Sequence, residues 1–334
     1  MRKLFTFIVL TYNHEEFICD HLSSIKYQIT NYGLDYDFQL IIGDDSSTDS
    51  TLMKVTNWLE KNNVLFSSVD LLVNESNIGT SKSLINCFKK IRGDYFKCTA
   101  GDDIYSNNNL FEVVKYLDEY DIVSTFAMPF FRDGVHYSKS LDKQLFYLNR
   151  YGKRNYKSLR KTFTTPMMTP GLFYKKTLIT ESVMDVMKNC VLIEDRAMHI
   201  GFFIENPILK INILPEIYVL YRQHDDSVMH TTNSNIKKVL KKDKKYLNAK
   251  IISNSHNLLF KLRFLVRCFV QNNDSIKIIN YASIGAITNN LAFIFSKKKD
   301  RVQISNYLKK EADYNQQYYK KAIRNMDSVN YEKY

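Results

Sequence analysis

The chain has 334 residues, of which 45% are hydrophobic and 25% charged, with a formal net charge of +12. With only 10 Gly and 5 Pro, the composition excludes a disordered or collagen-like chain and is that of an ordinary globular protein. Five scattered cysteines without a CxxC pair argue against a disulfide framework or a zinc site and favour reduced thiols in the cytoplasm.

Predicted strands and helices alternate over the first 126 residues. The apolar run at residues 4–10 predicts a strand buried on both faces and not a signal peptide, because no small-residue cleavage site follows it. Further strands are predicted at 38–43, 69–73, 95–99 and 122–126, with helices at 13–29, 50–61, 84–93 and 110–119. This alternation predicts βαβ units, and therefore an α/β fold with a mostly parallel, Rossmann-like sheet flanked by helices.

Polar clusters follow four of the predicted strands. In chain order they are Thr11-Tyr12-Asn13, Asp44-Asp45, Asn77-Ile78-Gly79 and Asp102-Asp103. Ligands of such sheets bind beyond the carboxyl ends of the strands, so the four clusters are predicted to converge on one site. Two adjacent carboxylates at such an edge suit a hard divalent cation, which prefers oxygen ligands.

The second half of the body gives weaker patterns. Residues 133–161 predict a loop or short helices, and residues 164–174 a turn that enters a strand. The apolar run from Val191 predicts a strand ending at Glu194 and Asp195. A strand at 211–220, broken at Pro215, leads into Arg222 and His224.

The positive charge is concentrated in the C-terminal region. Residues 235–334 contain 21 Lys and Arg against 7 Asp and Glu, a net of +14, whereas residues 1–234 have a net charge of −2. We therefore predict a body at 1–234 and a basic helical region at 235–334, whose partner is an anionic surface. Residues 258–270 and 276–295 are too polar for membrane spans and predict either interfacial amphipathic helices or a small helical domain packed on itself.

These clusters fit a nucleotide-linked donor. A carboxylate after the second strand can accept a hydrogen bond from a base imide or from a ribose hydroxyl. Asp102 and Asp103 can hold a cation that neutralises a diphosphate leaving group. Asp195, with Glu194 beside it, is the candidate for a separate general base. His224, near Arg222, is predicted either to complete the metal shell or to contact phosphate.

Several motifs together resemble the inverting family 2 glycosyltransferases of GT-A fold. They are Phe7-Ile8-Val9-Leu10-Thr11-Tyr12-Asn13, Asp44-Asp45-Ser46-Ser47-Thr48-Asp49-Ser50-Thr51, Asn77-Ile78-Gly79, Arg92-Gly93-Asp94-Tyr95 and Gly101-Asp102-Asp103. Glu194-Asp195 and Tyr221-Arg222-Gln223-His224 resemble later motifs, so the likeness covers about residues 1–230.

The resemblance implies a role for each matching position. Thr11 and Tyr12 would lie beside the base, Asp45 would bond it with Asp44 as its neighbour, and Asn13, Asn77 and Gly79 would line the nucleotide-sugar site. Asp102 and Asp103 would act as the DxD equivalent at ribose and metal, and Asp195 as the base. Glu194, Arg222, Met168 and Thr169 would lie around the acceptor. Where many members have Asp-x-Asp-Asp, this chain has Ala100-Gly101-Asp102-Asp103, so the sequence does not assign metal and ribose between the two carboxylates.

The predicted function is hexosyl transfer from a nucleotide sugar, with a UDP-sugar as the preferred expectation, to a hydroxyl of a glycan or lipid-linked acceptor. Mn²⁺ or Mg²⁺ would assist. The nucleotide-sugar half would be about 1–125 and the acceptor half about 126–234. The enzyme would be cytoplasmic and peripheral at the inner face of the plasma membrane, with no nucleic acid as partner. Two alternatives stay open: a nucleotidyltransferase-like α/β enzyme, or a membrane- or nucleic-acid-binding protein that uses the basic tail.

Overall fold

The computed structural model of the chain describes residues 2–152, 169–206, 208–223, 233–255, 261–262, 264–265 and 292–323. Within these residues the strands form one nine-stranded sheet. The bounds of these strands and of the helices between them follow in chain order.

The first half of the sheet is a parallel unit built from successive strand–helix repeats. Its elements are β1 (Lys3–Thr11), α1 (Ile18–Tyr32), β2 (Tyr36–Asp44), α2 (Thr51–Asn62), β3 (Ser68–Val73), α3 (Thr80–Phe88) and β4 (Tyr95–Ala100). β1 pairs in parallel with both β2 and β4, and β2 pairs in parallel with β3. The predicted βαβ alternation is confirmed, and the carboxyl ends of these four strands lie along one edge.

The second half is mixed. Its elements are β5 (Ile104–Tyr105), α4 (Val114–Leu117), β6 (Ile122–Phe131), β7 (Gly134–Val135), α5 (Lys139–Gly152), β8 (Leu172–Lys175), α6 (Glu181–Lys188), α7 (Glu194–Glu205), β9 (Ile211–Arg222), α8 (Ser234–Ser253) and α9 (Lys298–Tyr318). The long β6–β9 pairing is parallel, whereas the antiparallel pairings of β5, β7 and β8 join only two or three residues each. The strand order across the sheet is β3-β2-β1-β4-β8-β6-β9-β5, with β7 paired to β6. The prediction of a mostly parallel sheet flanked by helices is confirmed.

Apolar side chains cover both faces of the sheet. Alternate residues of β1 point to opposite sides, so Phe5 and Phe7 join one buried cluster with Leu22 of α1, while Ile8 joins another with Leu84 of α3. Burying each such side chain contributes about 1.5–3 kcal/mol relative to leaving it in water. This two-sided burial explains why β1 has an almost unbroken apolar sequence.

The described helices of the basic region pack against the body. Leu247 and Ile251 of α8 join the cluster that contains α3, α6 and α7. Leu308 of α9 joins a third cluster with Phe130 of β6 and Leu145 of α5. Among the described residues no helix is both long and apolar enough to cross a membrane. Most of residues 258–291, where amphipathic helices were predicted, lie outside the described ranges.

Three local predictions are wrong. Residues 191–193 are not a strand, because their backbone N–H groups bond to a side chain of α8 instead of a neighbouring strand, and helix α7 begins at Glu194. β9 is continuous through Pro215, which lies at a register shift opposite β6, where a proline without an N–H is tolerated. Helix α1 begins at Ile18 and not near Asn13, because residues 13–15 bond to the loop after β2.

Candidate active site

The loops that follow β1 and β2 are held together by hydrogen bonds. Asn13 adopts a left-handed backbone conformation with φ of 54°, and its Oδ1 accepts a hydrogen bond of 2.8 Å from the Thr48 N–H. Its own N–H donates to Ser47 Oγ at 2.9 Å, and Ser47 donates through N–H and hydroxyl to the Asp44 carboxylate. Asn13 and Asp44, predicted as nucleotide-sugar residues, therefore shape the edge on which such a ligand would lie.

Thr11 and Tyr12 lie at this edge with different exposures. The Tyr12 side chain is 42% exposed and offers an aromatic face to the solvent. Thr11 is buried, and its Oγ1 makes no hydrogen bond within the described part of the chain. A buried hydroxyl without a partner is costly, so this atom is suited to a polar ligand or a water molecule.

Asp45 is buried and organises the loop after β3. Its Oδ1 accepts hydrogen bonds of 2.9 Å from the Ile78 N–H and from Asn74 Nδ2, and its Oδ2 accepts one of 2.9 Å from the Gly79 N–H. The carboxylate predicted to bond the base thus holds the loop that contains Gly79, while Asn77 is exposed beside it. A carboxylate that receives several N–H groups makes charge-assisted bonds stronger than neutral ones.

Gly79 is required by close packing as well as by backbone conformation. Its φ is +88°, and a Cβ built there would lie 2.5 Å from Val191 Cγ1 and 2.6 Å from the Val191 carbonyl oxygen. The loop that Asp45 holds therefore touches the segment that leads to Asp195. This contact joins the predicted nucleotide side of the site to the predicted base.

Asp102 and Asp103 form a turn after β4. Asp103 is 2% exposed, and its Oδ1 accepts a 3.1 Å hydrogen bond from the Arg222 N–H, while its carbonyl oxygen accepts one of 2.9 Å from His21 Nδ1. Burial, and then the charge of Asp102, hold the pKa of the Asp103 carboxyl well above its usual range. The glycine before the pair has little room, since a Cβ on Gly101 would lie 2.8 Å from Ile18 Cδ1.

The Arg222 side chain lies behind this turn. Its guanidinium packs between the rings of Phe17 and Phe130, at 4.6 and 4.3 Å from their centroids, and pairs with Asp20 at 3.1 Å. Its Nε donates a 2.6 Å hydrogen bond to the Asp102 carbonyl oxygen. Arg222, predicted near phosphate or acceptor, is in this structure an internal support of the Asp102–Asp103 turn.

Asp195 lies in the first turn of α7. Its Oδ2 accepts a 2.8 Å hydrogen bond from Thr169 Oγ1, and its Oδ1 accepts one from the Arg196 N–H. Glu194 accepts a 2.6 Å hydrogen bond from Thr80 Oγ1. Burial, and then the charge of Asp195, raise the pKa of Glu194 to about 7. Asp195 is thus oriented by Thr169, while its neighbour favours the protonated form below neutral pH.

The comparisons with known proteins identify the family. The model of the family described as glycosyl transferase family 2 matches residues 6–178, more than half of the chain. The chain belongs to this family. Membership confirms the predicted resemblance and the glycosyltransferase class, and it favours that class over the nucleotidyltransferase alternative.

Individual relatives are distant. An uncharacterized protein of Mycobacterium tuberculosis is 24% identical over 245 residues, which cover 69% of this chain and 62% of that protein. The chain therefore spans less than two thirds of the length of such relatives. An abequosyltransferase of Salmonella typhimurium is 30% identical over 115 residues, 34% of this chain and 33% of that enzyme. The crystal structure of Staphylococcus aureus TarS residues 1–349 with UDP-GlcNAc has a TM-score of 0.57 at 19% identity, covering 99% of this chain and 93% of that one. This likeness supports the predicted GT-A fold.

The Asp102–Asp103 turn of this glycosyltransferase carries the kind of oxygen donors that a divalent cation prefers. Both side chains offer hard oxygen donors, and a cation would relieve the burial and repulsion that raise the pKa of Asp103. Within the described ranges no group of three or more His, Cys, Asp or Glu side chains is arranged as a metal site. His224, the predicted third ligand, and Met168 both lie outside the described residues.

The structure adds two residues that the sequence predictions missed. The buried Lys97 of β4 donates hydrogen bonds of 2.6 Å to the Pro170 carbonyl oxygen and 3.0 Å to that of Cys98, and burial lowers its pKa to about 8. Lys97 thereby holds the turn that carries Thr169. Tyr221 is half-buried, and its pKa is raised by burial and then by the charges of Asp103, Asp102, Asp195 and Glu194. A single lysine within a strand has no sequence pattern that predicts its role. Tyr221, in contrast, belongs to the motif Tyr221-Arg222-Gln223-His224, from which it could have been predicted.

Proposed function

We propose that the chain transfers a sugar from a nucleotide-diphosphate sugar to a hydroxyl of a glycan or lipid-linked acceptor, with inversion at the anomeric carbon. The observation that carries the proposal is the presence of two separate carboxylate pairs, Asp102–Asp103 in the turn after β4 and Glu194–Asp195 at the start of α7. Asp195 is bonded by Thr169, and Lys97 of β4 holds the turn that carries Thr169. One pair suits the diphosphate and the other suits proton removal. A single displacement needs stabilisation of the departing diphosphate and removal of the acceptor proton at the same centre.

The donor in this proposal is a UDP-sugar. The exposed ring of Tyr12 can stack on a pyrimidine base, and the buried Thr11 before it anchors this residue at the end of β1. Asp45 shapes the adjoining wall through the Gly79 loop. The complex of TarS with UDP-GlcNAc supports a uridine nucleotide for a chain of this fold.

At the diphosphate, Asp102 and Asp103 would hold Mn²⁺ or Mg²⁺. When bound, such a cation supplies positive charge to the oxygens of the departing nucleoside diphosphate. Arg222 fixes the turn through the Asp102 carbonyl oxygen and its own N–H to Asp103. The protein therefore presents both carboxylates on a rigid support.

At the acceptor, Asp195 would serve as general base. The acceptor oxygen attacks the anomeric carbon, the bond to the diphosphate oxygen breaks, and the hydroxyl proton passes to an Asp195 oxygen. Thr169 orients Oδ2 of this carboxylate, and Glu194 stays bonded to Thr80. Glu194 therefore takes no direct part in the proton transfer of this proposal.

We further propose that the basic region docks the enzyme on the cytoplasmic face of an anionic membrane, where a lipid-linked acceptor is presented. Six lysines of α8 are exposed: Lys237, Lys238, Lys241, Lys242, Lys244 and Lys245. Each lysine near an anionic surface contributes about 1 kcal/mol. Co-sedimentation with phosphatidylcholine vesicles that contain phosphatidylglycerol should be lost in a Lys237→Glu, Lys238→Glu, Lys241→Glu variant, and equal binding to pure phosphatidylcholine would contradict the proposal.

The catalytic proposal is tested by release of nucleoside diphosphate from a donor panel of UDP-GlcNAc, UDP-glucose and GDP-mannose, with Mn²⁺, Mg²⁺ or EDTA. We expect turnover with a UDP-sugar, and we expect EDTA to abolish this turnover. Asp195→Asn should lower turnover on the order of 10²–10⁴-fold with donor affinity retained, since it removes only the proton acceptor. Near-normal turnover by Asp195→Asn would refute the base assignment, and unchanged turnover in EDTA would refute the role of Asp102 and Asp103.

A further inference from the structure

One carboxylate of the basic region is buried against the segment that leads to Asp195. Asp243 lies in α8 at 1% exposure, although both its neighbours on each side are exposed lysines. Its Oδ2 accepts hydrogen bonds from three consecutive backbone N–H groups: 2.9 Å from Val191, 2.8 Å from Leu192 and 3.3 Å from Ile193. This carboxylate is the acidic residue of a helix whose exposed face is otherwise basic.

These three N–H groups immediately precede helix α7. Ile193 occupies the N-cap position and offers no side-chain acceptor. The N–H groups that Asp243 receives belong to the N-cap and to the two residues before it, and not to the first turn of α7 itself. Asp243 supplies a negative charge at this end from an element about fifty residues further along the chain, where the helix dipole also favours it. Helix α8 therefore holds the backbone segment that leads into α7.

Helix α8 holds the first turn of α7 at a second point. Asn248 Oδ1 accepts a 2.9 Å hydrogen bond from Arg196 Nη2, and Leu247, between Asp243 and Ile251 on the buried side of α8, packs in the cluster that contains α7. Asp195 lies between these two attachments. On the opposite side, the Ser81 N–H donates to the Val191 carbonyl oxygen at 3.1 Å.

We propose that Asp243 is a positioning residue for Asp195, so that the basic helix is part of the catalytic machinery and not only an attachment to it. The inference rests on the proposed role of Asp195 as general base. Without Asp243, residues 191–193 lose their common acceptor, and the Asp195 carboxylate is free to shift relative to the acceptor hydroxyl. A misplacement of about 1 Å costs on the order of 10²-fold in rate.

The test uses the full chain and the donor of the panel that is turned over fastest. Asp243→Ala removes the acceptor, whereas Asp243→Asn keeps one oxygen for the three N–H groups. The other oxygen, Oδ1, makes no hydrogen bond within the described residues, so an amide there loses charge but no bond. We expect turnover to fall about 10²-fold for alanine and less for asparagine, with the Kd for donor within about threefold. Asp185→Asn, an exposed carboxylate of α6, is the matched control and should not change turnover.

The decisive readout is non-additivity. If Asp243 acts through Asp195, then Asp243→Asn or Asp243→Ala causes no further loss in residual turnover when Asp195 is already asparagine. A purely structural role predicts the same fold loss in both backgrounds and would overturn the inference, as would a folded Asp243→Ala variant with turnover within threefold of the unchanged chain. If the alanine variant does not fold, the turnover of Asp243→Asn is compared in the same way with and without Asp195→Asn. Normal turnover by Asp195→Asn would instead refute the proposed base, whatever Asp243 does.

Discussion

Replacing Arg222 by methionine should destabilise the fold, because the charged Asp20 side chain then loses the guanidinium with which it pairs. The guanidinium is 4% exposed and pairs with Asp20, whose side chain is 14% exposed. Breaking a buried pair from one side costs about 3–5 kcal/mol. Tyr319 still donates a 3.0 Å hydrogen bond to the same Asp20 oxygen, so the lower end, about 3 kcal/mol, is expected. Methionine retains contact with the rings of Phe17 and Phe130, and the loss is therefore mainly electrostatic.

The measurement is urea unfolding followed by circular dichroism, with the free energy extrapolated to water. Arg92→Met is the matched control, because Arg92 is 59% exposed and pairs with Asp70 at 3.5 Å, and it should cost below about 1 kcal/mol. Adding Asp20→Asn to Arg222→Met should restore part of the loss, since it removes the unpaired charge. The reasoning is refuted if Arg222→Met costs no more than Arg92→Met, or if the double variant is less stable than Arg222→Met alone.

Three further predictions concern the edge of the sheet. Gly79→Ala should lower stability by about 1–3 kcal/mol and raise the KM for donor, because its φ is +88° and its Cβ would meet Val191; unchanged urea unfolding would contradict this. In EDTA, Asp103→Asn should leave the Tm unchanged or raise it, because it removes a carboxyl whose ionised form is disfavoured by burial and by the charge of Asp102. It should also abolish any rise in Tm caused by Mn²⁺, and a lower Tm in EDTA would contradict this prediction. Because its pKa is raised to about 7 by folding, Glu194 binds a proton more tightly in the folded state, so stability should fall as pH rises from about 4.5 to 7; Glu194→Gln should lack this fall, and parallel stability–pH curves for the two proteins would exclude it.

The first half of the fold was predictable because its signals are local. Each of the five strands predicted in the first 126 residues lies inside an observed strand, from β1 at Lys3–Thr11 to β6 at Ile122–Phe131. Strands buried on both faces need nearly continuous apolar sequence, and the turns after them need glycine, asparagine or aspartate. The two-residue strands β5 and β7 were missed, since two residues carry no periodicity.

The supports of the site were not predictable, because they join positions that are distant in sequence. Arg222 and Asp20 are 202 residues apart, Lys97 and Pro170 are 73 apart, and Asp243 and Val191 are 52 apart. None of these pairs has a local motif. The strand predicted before Asp195 failed for the same reason: an apolar run of three residues fits a strand, and only the position of Asp243 reveals that its N–H groups bond to a helix.

The two sides of the proposed site are consequently built in different ways. The side proposed for the donor consists of consecutive strand–helix turns, where Asp45 after β2 holds Gly79 in the loop after β3. The side that carries Asp195 depends on three separate elements: the turn at Thr169, the contact with Val191 and helix α8. A change in α8 is therefore expected to act first on Asp195, and it reaches the loop that Asp45 holds only through the contacts of Val191 with Gly79 and Ser81. With Asp195 as the proposed base, such a change should lower turnover more strongly than it lowers donor affinity.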